Sequence, residues 1–165
     1  MLPAIDLYTD GSCPKNPGPG GWAFAFKDRD RIFEGAGAVD ATTNNRMEMM
    51  GVIRGLEYLR RYYFSHVVDG GSFPQITVYS DSQYVIKGLQ DWSHKWRKHG
   101  WQRRDYKTNK WLPVSNADLW QQLYPMVHDE LKVQLKWVRG HIGIELNERC
   151  DVLAGEAVKK LIMSL

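Results

Sequence analysis

Apolar and polar positions alternate near the start of the chain and recur with helical spacing further on. Residues 4–10 alternate and residues 22–26 form an apolar run, and the glycines and prolines of 11–21 between them predict a hairpin with a wide turn. The remaining segments follow by the same criteria. The predicted elements are strands over 4–10, 22–26 and 31–39, a helix over about 44–63, a loop over 65–75, a strand over 76–80, helical turns over 82–90, a helix over about 117–128, a strand over 131–138 and a helix over about 145–163.

The order of these elements predicts an α/β fold with a mixed sheet. Hairpin connections make the early strand pairs antiparallel, and helical crossovers make the later ones parallel. The first helix presents apolar side chains at spacings of three and four, and hydroxyl and amide residues before it are candidate N-caps. The apolar set is Met49, Ile53, Leu56, Leu59 and Tyr63, the cap candidates are Thr42, Thr43, Asn44 and Asn45, and the helix over 117–128 has Ser115 or Asn116 as its candidate cap.

Composition is typical of one soluble domain. The 165 residues are 43% hydrophobic and 25% charged, with a net charge of +3. No run approaches the roughly 18 apolar residues of a membrane span, and the first residues lack a signal pattern. Cys13 and Cys150, the two cysteines, have no partner at zinc-ligand spacing and are predicted to be reduced thiols. We therefore expect a single cytoplasmic domain over 1–165, with no binding module before the first strand.

The small net charge hides a basic segment. Residues 94–111 hold seven Lys or Arg and one acid, and four of the seven tryptophans lie in this segment or just before it. Cations interleaved with flat aromatic rings suit a nucleic-acid backbone. A solvated helix face whose tryptophans pack on the body fits the same pattern equally well.

Four acids stand at positions where an α/β sheet places a ligand. Asp10 and Asp81 end predicted strands, Glu48 lies in the first turns of a helix, and Asp151 lies near the start of the last helix. Taken singly, each is typical of a surface residue or a cap. Brought together they would repel one another, and hard divalent cations with oxygen ligands, Mg²⁺ or Mn²⁺, would relieve that repulsion.

The motifs around these acids resemble one family closely, the bacterial stand-alone type 1 ribonuclease H. The matching blocks occur in family order and cover about residues 5–155, which makes the resemblance specific. They are YTDGSC followed by NPGPGGW at 8–22, TTNNRME at 42–48, SDSQYV at 80–85, WRKHGW at 96–101, NADLW at 116–120, WVRGH at 137–141 and NERCD at 147–151.

The resemblance implies a ribonuclease H-like fold, with a five-stranded mixed sheet of three antiparallel strands followed by two parallel ones, flanked by helices. It implies an endonuclease that cuts the RNA strand of an RNA–DNA hybrid and leaves 5′-phosphate and 3′-hydroxyl ends. Two Mg²⁺ ions, for which Mn²⁺ could substitute, would bind Asp10, Glu48, Asp81 and Asp151. His141, in a glycine-flanked loop, would assist proton transfer or product departure.

The resemblance also implies how the hybrid is held. Amide side chains that donate to and accept from 2′-hydroxyls would read the minor groove, and a threonine and an asparagine would hold a DNA phosphate. By position these are Asn16, Asn44, Asn45 and Gln83 for the groove, with Thr43 and Asn16 for the phosphate. A helix cap and a turn explain the same asparagines locally, and both roles can coexist.

A basic protrusion at about 92–111 would contact the DNA strand without reading its sequence. Its expected contacts are Trp96, Arg97, Lys98, Trp101, Arg103 and Arg104. Two departures from the family pattern stand out: residues 66–74 form an insertion predicted to be a surface loop, and residues 142–146 of the histidine loop are unusually apolar.

Three functional hypotheses follow. A metal-dependent hybrid ribonuclease, acting as a monomer without an obligate protein partner or membrane, is favoured because each catalytic position holds the expected residue type. A catalytically idle hybrid-binding module would lack an acid, and none is lost. A DNA-acting relative, such as a junction resolvase or a transposase core, is disfavoured by the amide contacts and the basic protrusion.

Overall fold

A computed structural model, which describes residues 2–140 and 144–165, shows a five-stranded mixed sheet with helices on both faces. The strand order is β3-β2-β1-β4-β7; β1, β2 and β3 pair antiparallel, and β4 and β7 add in parallel. The expected fold class is therefore confirmed. The strands of this sheet are β1 (Ile5–Ser12), β2 (Gly18–Asp28), β3 (Arg31–Thr42), β4 (Ile76–Ser80) and β7 (Gln134–Trp137), and a separate hairpin pairs β5 (Gln102–Asp105) with β6 (Lys110–Pro113).

The helices follow the strands in the order expected for crossover connections. They are α1 (Asn44–Tyr62), α2 (Phe64–Val68), α3 (Gln83–Lys87), α4 (Ser93–Lys98), α5 (Ala117–Tyr124) and α6 (Glu145–Ser164), with π-helical segments at Gly88–Trp92 and Pro125–Glu130. In the described part of the chain, no helix is both long enough and apolar enough to cross a bilayer.

Alternation along β2 divides the core between two faces. Phe24 and Phe26 belong to the main core with α1 and α5, whereas Ala23 and Ala25 pack with Cys150 on α6. Successive side chains of a strand point to opposite faces, so α1 and α6 cover opposite sides of the same three strands. Small residues on the α6 side let that helix lie close to the sheet. The thiols of Cys13 and Cys150 are both buried and free.

The predicted apolar face of α1 is confirmed, since all five of its members are buried in the main core. Of the N-cap candidates, Thr43 does the capping: its hydroxyl accepts the N–H of Arg46 at 3.2 Å. Asn116 is the N-cap of α5, with left-handed backbone and no side-chain cap bond.

The loop prediction over 65–75 is wrong in its first part, because residues 64–68 form the short helix α2. Helical hydrogen bonding resumes after a break at Tyr63, where Val67 donates to the Tyr63 carbonyl at 3.2 Å, and no proline or glycine intervenes before Gly70. Strand β2 is longer than the apolar run predicts, because its glycines lie within the ladder. Strand β7, at four residues, is shorter than predicted.

Candidate active site

Two of the four predicted acids are aligned by the pairing of neighbouring strands. Tyr8 of β1 is level with Tyr79 of β4 in the parallel ladder, which brings Asp10 level with Asp81 two residues further along. Asp10 is buried, and its Oδ1 accepts the N–H of Gly11 at 2.9 Å. Asp81 is half-buried just after the end of β4. The carboxyl ends of adjacent parallel strands are where open α/β sheets carry their sites.

The third acid, Glu48, lies close to these two because the backbone of α1 approaches β1 at Gly11, where no side chain separates them. A Cβ built on Gly11 would lie 2.4 Å from the backbone nitrogen of Glu48 and 2.5 Å from the Met47 carbonyl carbon. Only glycine allows this approach. As a result, one carboxylate oxygen from each of Asp10, Glu48 and Asp81 lies within 4.8 Å of the others.

This crowding raises the affinity of Glu48 for a proton. Burial raises the pKa of Glu48 well above its usual value, and the charges of Asp10 and Asp81 raise it further. Among the described residues, Oε2 of Glu48 is buried and receives no hydrogen bond. Three close carboxylates, one of them with a buried oxygen that receives no hydrogen bond, fit a hard divalent cation. Such a cation would offset the negative charge of that oxygen and the repulsion among the three groups.

Hydrogen bonds from the end of the edge strand β7 hold the backbone at Asp81. The indole Nε1 of Trp137, at the end of β7, donates to the Asp81 carbonyl at 2.9 Å, and the N–H of Val138 donates to the Ser80 carbonyl at 2.9 Å. Ser82 begins α3 by accepting the N–H of Val85. The backbone of Asp81 is therefore fixed on both sides. This role of Trp137 was not predicted from the sequence, because nothing in the residues around Trp137 indicates a hydrogen bond to Asp81.

Asp151 does not join the three close carboxylates. It is exposed in the second turn of α6. The residue before it, Cys150, donates a hydrogen bond from its thiol to the Tyr8 carbonyl at 3.3 Å. The pKa of the Cys150 thiol is raised by burial and then by the charge of Asp10. This turn of α6 therefore lies along β1 beside the site. The predicted His141 lies outside the described residues.

The predicted substrate amides form a second group at the start of α1. Oδ1 of Asn16, in the turn after β1, accepts the N–H of Asn44 at 3.1 Å. Asn45 and the first residue of α3, Gln83, are exposed. Asn16 thus serves the turn expected of it, whereas the cap expected of Asn44 or Asn45 is supplied by Thr43 instead, and all four predicted amide residues are exposed.

One residue in this group was not predicted to matter. Arg46, one position after the asparagines, makes a bidentate ion pair with Asp118 at 2.9 and 2.8 Å and also donates a hydrogen bond to Oδ1 of Asn116 at 3.3 Å. Asn116 in turn donates to the hydroxyl of Tyr84 at 3.0 Å. These bonds tie the start of α1 to the start of α5 and to α3. The partners are about 70 positions apart in the chain, so no sequence pattern reveals them.

The basic segment consists of α4 and the β5–β6 hairpin, and its predicted contacts divide into two groups. Trp96 and Trp101 are partly buried against the main core. Arg97 is exposed, but its guanidinium contacts the body: it lies over the Tyr124 ring at 4.8 Å and pairs with Asp129 at 3.6 Å. The others, Lys98, Arg103 and Arg104, are exposed. The solvated-face and nucleic-acid interpretations therefore each describe part of the segment.

Comparisons with known proteins agree with this geometry. The family model described as RNase H matches residues 3–159. A protein named Ribonuclease H from Chromobacterium violaceum is 44% identical over 157 residues, covering 95% of this chain and 96% of its own length. Another of that name from Treponema denticola is 43% identical and covers 96% and 99%. The crystal structure of LC9-RNase H1, a type 1 RNase H with the type 2 active-site motif, is 28% identical, with a TM-score of 0.74 over 97% of this chain and 74% of that one. The structure of LC11-RNase H1 in complex with RNA/DNA hybrid is 22% identical, with a TM-score of 0.69 over 96% of this chain and 99% of that one. This likeness is one of fold.

Proposed function

The chain belongs to the RNase H family of nucleases, and from this premise we propose that it cuts the RNA strand of RNA–DNA hybrids with two divalent cations, Mg²⁺ or Mn²⁺. The products would carry 5′-phosphate and 3′-hydroxyl ends. The observation that carries the proposal is the meeting of Asp10, Glu48 and Asp81 within 4.8 Å at one edge of the sheet. A solved relative of the same fold, LC11-RNase H1, holds an RNA/DNA hybrid, which supports the substrate.

Each acid has a distinct part in holding the cations. Asp10 is fixed by burial and by the Gly11 N–H, Glu48 brings a buried oxygen, and Asp81 is held through its backbone. Asp151, on the α6 turn beside β1, would complete the set. When bound, the cations would supply an activated water and neutralise charge on the phosphate and the leaving oxygen. His141 would carry a proton near the departing product.

The surrounding residues would hold the hybrid. The amides of Asn16, Asn44, Asn45 and Gln83 can pair with 2′-hydroxyls, and Thr43 with Asn16 would hold a DNA phosphate. The exposed cations of the protrusion would bind the DNA strand, with Trp96 and Trp101 as its rigid support. Arg97 would act there mainly by anchoring α4. We propose that the whole chain works as a single catalytic domain and a monomer in the cytoplasm.

Cleavage of four labelled duplexes tests the proposal: RNA–DNA hybrid, duplex DNA, duplex RNA, and a DNA duplex with one ribonucleotide. We expect cleavage of the hybrid with Mg²⁺ and none with EDTA, and RNA products whose 3′ ends accept a ligase without phosphatase treatment. Asp10→Asn should lose cleavage and keep hybrid binding. Cutting of duplex DNA at the same rate would support a DNA-acting enzyme, and binding without cleavage would support the idle module.

A further inference from the structure

A cavity of about 500 Å³ opens between α4 and the β5–β6 hairpin. Its volume lies within the roughly 300–1,000 Å³ of small-ligand sites. Its lining contains three cations, Lys95, Arg103 and Arg104, and four rings, Trp96, His99, Tyr106 and Trp111. None of its lining residues, all of which the structure describes, is acidic. The cavity is distinct from the carboxylate site and from the amide group.

The rings give the cavity a rigid aromatic wall. Trp96 is anchored on its inner side, where it packs against Trp120 at a ring separation of 5.6 Å. Trp111 of β6 keeps 48% of its surface exposed, and His99 lies against it at 4.8 Å with an interplanar angle of 33°. A flat aromatic ring that is anchored on one side and open on the other can stack with a planar ligand.

The cations complete a site for a phosphate beside that ring. Arg104 donates to Asn109 across the hairpin turn, which holds its guanidinium in place. The nearby acid, Asp105, is occupied by the same turn: it accepts the N–H of Lys107 at 3.0 Å and the hydroxyl of Thr108 at 3.1 Å. The carboxylate is thus turned to the hairpin backbone, and the cavity keeps a positive charge. Gln102, also at the cavity, can donate to and accept from a base edge.

We propose that this cavity binds an unpaired nucleotide, base and phosphate together, from a single-stranded segment that continues a hybrid. Bases inside a duplex are stacked on both sides and paired, whereas an unpaired base in an extension is free to lay its face on Trp111. The inference rests on the proposed function for its location, because that function sets the protrusion against the hybrid. It adds a preference for hybrids that end in a single-stranded extension.

Fluorescence anisotropy in EDTA, where no cleavage occurs, tests the proposal with one hybrid of fixed length carrying four kinds of end. The ends are blunt, a six-nucleotide DNA extension, a six-nucleotide RNA extension, and a DNA extension of abasic residues. Abasic residues keep the phosphates and lose the bases. Since base stacking contributes about 1–3 kcal/mol per base, a base-containing extension should bind at least about fivefold tighter than the abasic one. The DNA and RNA arms identify which strand supplies the nucleotide.

Variants separate stacking from charge. Trp111→Leu keeps an apolar side chain without an aromatic face and should make base-containing and abasic extensions bind alike, whereas Trp111→Phe should retain most of the difference. Phe64→Ala removes a ring on α2 that is 62% exposed and is not at the cavity, and should preserve the ratio. Circular dichroism confirms that each variant is folded.

Equal binding of base-containing and abasic extensions by the wild type would overturn the proposal, as would a ratio that Trp111→Leu leaves unchanged. These outcomes differ from a failure of the proposed function. That function fails if Mg²⁺ supports no cleavage of the blunt hybrid, whereas the cavity proposal is read from binding alone.

Discussion

Asp10→Asn should make the metal-free protein more stable while abolishing its cleavage. Two unit charges within 4.8 Å of each other repel by at least about 3.5 kcal/mol at an effective dielectric constant of about 20, and Asp10 faces two such neighbours. Proton uptake by Glu48 and the partial exposure of Asp81 reduce this repulsion, so we expect a gain of about 1–3 kcal/mol at pH 7. The asparagine keeps an oxygen for the Gly11 N–H and adds a donor toward Glu48.

The pH dependence identifies the source of the gain. Because the folded-state pKa of Glu48 is raised, the proton it holds stabilises the fold fully below its unfolded pKa of about 4.3, and this stabilisation is lost as pH rises through the folded value. The variant lacks one of the charges that raise that pKa. Its advantage over the wild type should therefore be small near pH 4 and largest near neutral pH.

Urea unfolding followed by circular dichroism, in EDTA and then in Mg²⁺, measures these differences. Mg²⁺ should stabilise the wild type by mass action and the variant much less. Asp6→Asn is the matched control, since Asp6 is an exposed acid on the same strand and its substitution should change stability by no more than about 0.5 kcal/mol. Equal effects of the two substitutions in EDTA, or destabilisation by Asp10→Asn, would refute the repulsion argument.

Three further predictions test other parts of the structure. Gly11→Ala forces a Cβ into the α1 backbone and should destabilise the fold by about 3 kcal/mol in urea unfolding, whereas Gly155→Ala, with open space around it in α6, should stabilise it by about 0.5–1 kcal/mol. Burial lowers the pKa of His128, so its contribution to stability is present above about pH 6.5 and is lost as pH falls toward the folded value; thermal melts from pH 7 to 5 should show a shallower decline for His128→Gln. Lys98→Gln should reduce the slope of hybrid affinity against salt by about 1, and Arg97→Gln, whose cation is already paired, by less; equal slopes would contradict the assignment of Arg97 as an anchor.

The parts of the fold that follow from sequence are those with a repeating apolar pattern. The buried face of α1 has helical spacing over five members, and β4 is a β-branched strand that ends directly before Asp81, so both were predictable. For the site, the strand ends made a meeting of Asp10 and Asp81 plausible, and the family resemblance selected the four acids. The closeness of Glu48 needed the structure, since it depends on contact between Gly11 and the α1 backbone.

Other elements carry too little pattern to be predicted. Strand β5 reads Gln-Arg-Arg-Asp, which has no apolar alternation, and its hairpin is held by a turn in which Asn109 has a φ of 60° and Asp105 accepts hydrogen bonds. Helix α2 has only five residues, none of them buried, so periodicity cannot mark it. The Arg46–Asp118 pair joins distant parts of the chain through side-chain geometry alone.

The central place of β1 has a consequence for synthesis. One edge of β1 pairs with β2 as soon as the first hairpin forms, but the other edge waits for β4, whose residues follow β1 by more than 60 positions. At roughly 5–20 residues per second, ribosomes need about 3–14 s to extend the chain across that interval. Until then, the apolar edge containing Ile5 and Leu7 is open to pairing with another nascent chain. The strand that begins the active site is thus also the aggregation hazard of the unfinished protein, which makes translation speed between β1 and β4 a determinant of yield.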